Sequence, residues 1–415
     1  MKTQENDLSI EDDIECNYSG YIFKAFHFMG LKLSLKKKTD GFKFVHKLPT
    51  TIGILQSIVV FFLQMNFIRD VVQCDSNPPI QIISQVISNI QAGLKQTLLV
   101  FKKIEDIQRM LETLGEFWKK YSPDKNYRVV LFRELGKTSS LCKYYFGTLV
   151  GIMIAYDVQP LVYFLTYYFE QNATNHTYDL SRRILLVKYP FEITRKSTYC
   201  FLLSQEAYLL YITAIYWANG DTLFAQFTTH ICLQLKILKY ETGKFFNQSN
   251  QEGRSDLLIL IRRHQELLSM CDMIEDIFSP IIFSTMLLSA INMCVNVIGV
   301  TETIAAGSYE ETGIYTFIFI ATFLQIIFYC VFAETLTEET RSLSDFVYNL
   351  EWTSKDYRLR FLIQVIILRA QTPVYCTAYG FFPIGHQKLT SVASKTFEVM
   401  YAFQINFKLA TVFRS

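Results

Sequence analysis

The sequence predicts an all-α membrane protein: seven transmembrane helices, N-terminus cytoplasmic and C-terminus extracellular, with cytoplasmic anchor helices. Three observations lead there. Half of the 415 residues are apolar and 19% are charged, below the roughly 25% of an ordinary soluble domain. The apolar residues fall in tracts close to the ~20 that cross a bilayer. Lys and Arg are plentiful in alternate connections and scarce in the others, as cytoplasmic retention of basic loops requires. The net charge of +2 makes no case for nucleic acid.

Residues 1–49 form a cytoplasmic segment. Its start, `MKTQENDLSIEDDIEC`, is acidic and lacks the early apolar core of a signal peptide. Residues 50–333 hold the first six helices. The first span is 50–70, `TTIGILQSIVVFFLQMNFI`. The second, 80–101, is weaker because it carries Lys95 and several amides. The third covers 141–169, the fourth 198–219, the fifth 277–300 and the sixth 314–333. Residues 334–385 read as a cytoplasmic anchor region, with 359–382 a buried helix on the inner side. Residues 386–415 are the seventh helix and an extracellular tail.

The connections 1–49, 102–139, 230–276 and 334–385 carry 8, 9, 6 and 5 basic residues. Of the opposite connections only 170–197 carries any, with 5. That loop also holds the sequons `NAT` at Asn172 and `NHT` at Asn175, expected to be glycosylated outside the cell. An N-terminus inside is opposite to a G-protein-coupled receptor, and neither `DRY` nor `NPxxY` stands where that class has it.

The inner connections have helical periodicity. Ile104, Ile107, Leu111, Leu114 and Phe117 recur at helical spacing, as do Leu260, His264, Leu267, Leu268 and Cys271. The sixth span, `GIYTFIFIATFLQIIFYCVF`, is followed by Leu336, Leu343, Phe346, Val347 and Leu350 beside Glu334, Glu338, Glu339 and Asp345. Each apolar stripe must be buried, and a helical bundle below the membrane would do so. Tyr348 and Trp352 are its packing anchors, toward this subunit's core or a neighbouring subunit.

The third and fourth spans are rich in tyrosine. Tyr156, Tyr208 and Tyr211 either line a pocket for a small apolar ligand or pack helix against helix, and Tyr163 lies in the same run. Trp217 fits an interface anchor. Asp157 and Glu206 lie inside spans and must face protein or water. The seventh helix is the most polar, as a helix beside an aqueous pore would be. Val399, Ala402 and Asn406 are its candidate pore face; a helix buried in protein with paired polar groups is the alternative. The chain has no `HExxH`, `GxSxG`, P-loop or `GxGxxG`, its nine Cys include no CxxC, and its six His are dispersed. No enzyme, metal or cofactor is expected, and the thiols read as small apolar fillers.

`ETLTEETRSLSDFVYNLEWTS` (334–354) and `IILRAQTPVYCTAYGFFPIGHQKLTSV` (366–392) resemble the insect odorant receptors, through Glu334, Ser342, Tyr348, Trp352, Gln371, Pro373, Ala378 and Pro383. The resemblance implies a subunit of a ligand-gated, non-selective cation channel of four subunits. Its ligand would be a small volatile organic molecule, and its setting the plasma membrane lipid of olfactory neuron dendrites. It implies that the last helix lines the pore, with Ala402 and Asn406 near the gate. Tyr348, Trp352 and Pro373 would belong to the anchor domain, and Tyr156, Tyr163, Tyr208, Tyr211 and Ile212 to the odorant pocket. Relatives often carry Ser-Tyr-Phe where this chain has `EVM`, Glu398 to Met400. The short inner connection 230–276 suits a tuning subunit in a heterotetramer with a shared coreceptor. A homomeric channel is the alternative, as is the related gustatory type.

Overall fold

A computed structural model describes residues 48–73, 79–121, 125–170, 183–193, 195–247 and 253–385, with Thr390, Ser394 and Glu398 beyond them. Asn172, Asn175, Val399, Ala402 and Asn406 lie outside the described residues, as do 1–47 and most of the expected seventh helix.

The described chain is helical almost throughout: α1 (Leu48–Gln73), α2 (Ile80–Thr97), α3 (Ile104–Tyr121), α4 (Lys125–Glu170), α5 (Lys196–Asn247), α6 (Gly253–Ala306), α7 (Tyr309–Tyr348) and α8 (Tyr357–Ala370). Among these, α1, α4, α6 and α7 are long and apolar enough to cross a membrane. At 1.5 Å per residue, the 54 residues of α6 reach about 80 Å, far beyond a hydrocarbon core of about 30 Å. The surplus must lie in water, and it forms a second storey of the bundle. There α3 buries Ile104, Ile107, Leu111 and Leu114, α6 buries Leu260, Leu267 and Cys271, and α7 buries Leu336, Leu343 and Val347. The helical stripes expected in the connections are thus one continuous core.

Two boundaries differ from expectation. The helix of the fourth span does not stop at Asn219 but runs unbroken to Asn247. Asn219-Gly220-Asp221 resembles a turn in sequence, yet all three are buried inside α5. The segment 359–382 is not one helix. α8 ends at Ala370, and Pro373 makes continuation unfavourable. The chain then folds tightly back, with Ala378 N donating to Phe382 O (2.9 Å) and Ile384 N to Cys376 O (2.8 Å). Tyr379 and Gly380 occupy positive φ at the tip (54° and 74°).

This folded-back segment is tied to both α6 and α7. Thr337 Oγ1 donates to Val374 O (2.9 Å), and Val374 N donates to Thr340 Oγ1 (3.2 Å), which holds it to α7. Thr377 N donates to Glu275 Oε2 (2.8 Å), and Tyr379 N to Ser279 Oγ (2.7 Å), which holds it to α6. Of the acids beside α7's apolar stripe, Glu339 pairs with Lys239 (2.6 Å) and Lys236 (3.4 Å) of α5. Trp352 is half-buried against the core, its Nε1 donating to Tyr348 O (3.1 Å), whereas the Tyr348 ring is exposed. Trp118 of α3 is buried edge-on to Phe132 and His230. Burial drives the His230 imidazole down to about 3, so it packs here as a neutral ring.

α6 and α7 form a hairpin. Gly307, just past the end of α6, takes φ +75°, which a glycine adopts without strain. Glu310 and Glu311 open α7, where the helix dipole favours acids. Higher in the hairpin, a Cβ on Gly299 would sit 2.7 Å from Cδ1 of the buried Tyr315 ring. Gly299→Ala is therefore expected to cost about 1–3 kcal/mol by overpacking, read as a lower unfolding temperature of the purified protein. Unchanged melting would show that the ring swings clear.

Candidate functional site

The site begins with a helix whose inward face is polar. Ser84, Ser88, Gln91 and Lys95 of α2 follow one another at helical spacing, and Ser84, Gln91 and Lys95 are fully buried. A bare polar face toward lipid would be costly, so each group needs a partner within the protein. α6 supplies Ser289, Asn292 and Asn296, and α7 supplies Gln325 and Tyr329, again at helical spacing and buried. Ser84 Oγ donates to Asn292 Oδ1 (2.8 Å) and accepts from Asn296 Nδ2 (3.2 Å). Asn292 Nδ2 donates to Ser88 Oγ (3.3 Å). Gln325 Oε1 accepts from Gln91 Nε2 and Ser289 Oγ (both 3.0 Å).

The column ends at a buried ion pair. Lys95 Nζ lies 2.6 Å from Asp221 Oδ1, with both side chains fully buried. Asp221 also accepts from Tyr145 OH (2.7 Å), Gln325 Nε2 (2.7 Å) and Tyr329 OH. A carboxylate has about four acceptor sites, and here four donors fill them. Lys95 Nζ also stands 5.7 Å from the ring centroids of Trp217 and Tyr329. Gly220 permits this approach: a Cβ there would lie 3.1 Å from Leu99, just past the end of α2, and 3.9 Å from Lys95 Cδ. Five helices, α2, α4, α5, α6 and α7, meet in this network. Sequence reasoning marked Asp157 and Glu206 as the buried acids and passed over Asp221. The available signal was a lone cation in one apolar tract matched by a lone acid in another.

Beside the upper end of the column lies a cavity of about 110 Å³, roughly ten times the space a single water needs. Its apolar wall is Leu149, Ile152, Met153 and Tyr156 of α4, Leu209, Leu210 and Trp217 of α5, and Ile318 and Ala321 of α7. Its polar wall is Ser57 and Gln64 of α1 with Ser84, Gln85, Ser88 and Asn89 of α2. Leu185 closes it from the connection before α5. That connection is stitched down. Ile184 N and Leu185 N both donate to Glu206 Oε2 (3.1 Å each), and Tyr189 OH to Glu206 Oε1 (3.1 Å). Gln85 bridges the same loop, donating to Ile184 O (3.3 Å) and accepting from Leu186 N (3.2 Å).

Of the five residues expected to bind ligand, Tyr156 is on the cavity wall. Tyr211 packs against the cluster of Ile152, Met153 and Ala214. Ile212 faces the main core near Gly53, and Tyr163 and Tyr208 are exposed outward. Trp217, expected to anchor at the membrane surface, is instead buried and lines the cavity. No residue of α1 or α2 was named for the polar wall, although the family resemblance implied that the second span takes part in the pocket; the serines and amides of α2 carried that signal. Among the described residues, no cluster of His, Cys, Asp and Glu could hold a metal ion. Cys142, Cys232, Cys271, Cys330 and Cys376 are buried.

A family model described as 7tm Odorant receptor matches residues 84–397 of the chain. Odorant receptor 67c of Drosophila melanogaster is 22% identical over 216 residues, 51% of this chain and 52% of that protein. Odorant receptor 47a of the same organism is 30% identical over 133 residues, 32% and 34% of the two chains. The chain thus spans about half the length, or less, of these curated relatives. The insect olfactory receptor OR5 from Machilis hrabei, solved in complex with eugenol, has the same fold, with a TM-score of 0.73 at 16% identity. The match covers 95% of this chain and all of that one.

Proposed function

The chain belongs to the insect odorant receptor family, a family of multi-pass membrane proteins, and from that premise we propose that it is a subunit of a cation channel opened by a small organic molecule bound in the cavity. The single observation that carries this reading is the cavity itself: partly open, mostly apolar, and set between α1, α2, α4, α5 and α7 with most of its polar groups on α1 and α2. Its shape suits a volatile molecule of the eugenol kind that the Machilis receptor holds. The route from cavity to pore runs along α7. Ile318 and Ala321 touch the cavity, and the same helix holds Val374 through Thr337 and Thr340, a dozen residues before the expected seventh helix.

The finer assignments belong to the same proposal. The chain crosses the membrane seven times with its N-terminus inside, as the basic connections favour. The seventh helix lines the pore with Val399, Ala402 and Asn406 on its face. Tyr348, Trp352 and Pro373 belong to the anchor, Asn172 and Asn175 carry glycans, and Tyr156 heads the ligand contacts, with Tyr163, Tyr208, Tyr211 and Ile212 around it. The short passage from α5 to α6, Asn247 to Gly253, favours a tuning subunit that works with a shared coreceptor at the surface of olfactory neurons.

Expression alone and with an insect coreceptor, with current recorded against an odorant panel, tests the reading. Current only in the pair assigns a tuning subunit, and current from the chain alone assigns a homomeric channel. Filling the cavity by Ala321→Phe is expected to abolish responses to every active compound while surface delivery persists. Unaltered responses in that variant would remove the cavity from the mechanism.

A further inference from the structure

Among the described residues, Gln64 and Trp217 are those of the cavity wall with a buried polar atom that has no partner, Gln64 Oε1 an acceptor and Trp217 Nε1 a donor. Gln64 projects from α1, a helix whose outward face, Leu55, Val59 and Phe62, is exposed and apolar. Its side chain is 1% exposed, and its Oε1 has no hydrogen-bond partner. The neighbouring polar groups are engaged. Ser84 and Ser88 bond Asn292, Gln85 holds the Ile184–Leu186 loop at both ends, and Asn89 Nδ2 donates to Ser57 O (3.1 Å). A buried amide oxygen left without a donor is costly, about 1–3 kcal/mol by general experience. Its presence on a cavity wall points to a ligand donor, and a ligand hydroxyl can donate to it while also accepting from Trp217 Nε1, whereas an ether can only accept.

We propose that the cavity selects ligands bearing a hydroxyl or N–H group on a compact apolar body, and that Gln64 Oε1 accepts the hydrogen bond from that group. This rests on the reading of the cavity as the odorant site and adds the chemical class of the odorant. The apolar wall of α4, α5 and α7 takes the hydrocarbon part, and the free acceptor stands opposite, on α1. A ligand that offers only an acceptor, such as an ether, leaves Gln64 Oε1 unpaired and binds more weakly although its shape is nearly the same. The discrimination expected is that of one neutral hydrogen bond, about three- to tenfold in half-maximal concentration.

The test uses the full-length protein in whichever assembly conducts, with matched pairs as probes: hexan-1-ol against methyl pentyl ether, 1-phenylethanol against its methyl ether, and phenol against anisole. The wild type is expected to respond at lower concentration to the alcohol or phenol of each active pair. Gln64→Met, which keeps the length of the side chain and removes the acceptor, is expected to bring the two members of a pair level. Ala321→Phe in parallel tests the underlying reading. If it leaves all responses intact, the cavity is not the odorant site. If it silences them while Gln64→Met keeps the alcohol preference, the cavity stands and the assignment of Gln64 is overturned, its oxygen then serving an ordered water only. A wild type with no preference for the donor member, or with no response to any alcohol or phenol, also overturns the proposal.

Discussion

Replacing Lys95 with methionine is expected to destabilise the protein by about 3–5 kcal/mol, the cost of leaving a buried charge without its partner. Asp221 would keep three hydrogen-bond donors, Tyr145, Tyr329 and Gln325, but no cation. It would have to bind a proton or admit water into the junction of five helices. The expected readouts are a smaller surface fraction and an unfolding temperature lowered by several degrees in detergent. Lys95→Met/Asp221→Asn should recover at least half of that loss. Asparagine removes the orphaned charge and still offers an acceptor to the tyrosine hydroxyls. The coupling between the two positions, rather than the effect of either, is what identifies an ion pair. Equal stability of the single and double variants would mean that the Lys95 stem matters for packing and its charge does not.

That pair also shows what a sequence can and cannot convey about this fold. The apolar tracts located α1, α4, α6 and α7 but not their full lengths, because a bilayer bounds only the crossing: α4 begins already at Lys125 and α6 at Gly253, and α7 runs on to Tyr348. The stripes Ile104 to Leu114 and Leu336 to Val347 gave the second storey, because helical periodicity survives in any surroundings. α2 was harder. Its Lys95 and amides weaken it as a membrane segment read alone, yet they are the reason it lies inside the bundle: Lys95 pairs with Asp221 of α5, and Gln91 with Ser289 of α6 and Gln325 of α7. The end expected for the fourth span at Asn219 was wrong for a related reason. Local turn preference, worth about 1 kcal/mol at glycine, gives way to an ion pair and close contact with α2. The tyrosines were visible, but their direction was not: Tyr156 and Tyr163 lie seven residues apart on one helix, one on the cavity wall and the other at the surface. Only the packing of α5 and the loop at Leu185 decides between them.

The second large effect is expected at Glu206, a charged residue in an apolar tract whose task is to hold the cavity's cover. Its carboxylate accepts the backbone N–H groups of Ile184 and Leu185 and the Tyr189 hydroxyl, and Leu185 is the residue that closes the cavity. Glu206→Leu would orphan two buried backbone donors at about 1–3 kcal/mol each. The loop can escape that cost only by lifting into water. Gln85 cannot hold it alone, since it engages the same loop from α2 through a single amide. Half-maximal odorant concentrations are therefore expected to rise by tenfold or more, about 1.4 kcal/mol per decade, for every active compound alike. Glu206→Gln, which keeps an acceptor but loses the charge, should fall between that variant and the wild type. The uniformity is the distinguishing feature: a lost cover weakens all ligands, whereas a lost acceptor at Gln64 changes their order. Normal sensitivity of Glu206→Leu at normal surface density would show that the cover is held by α2 and not by α5.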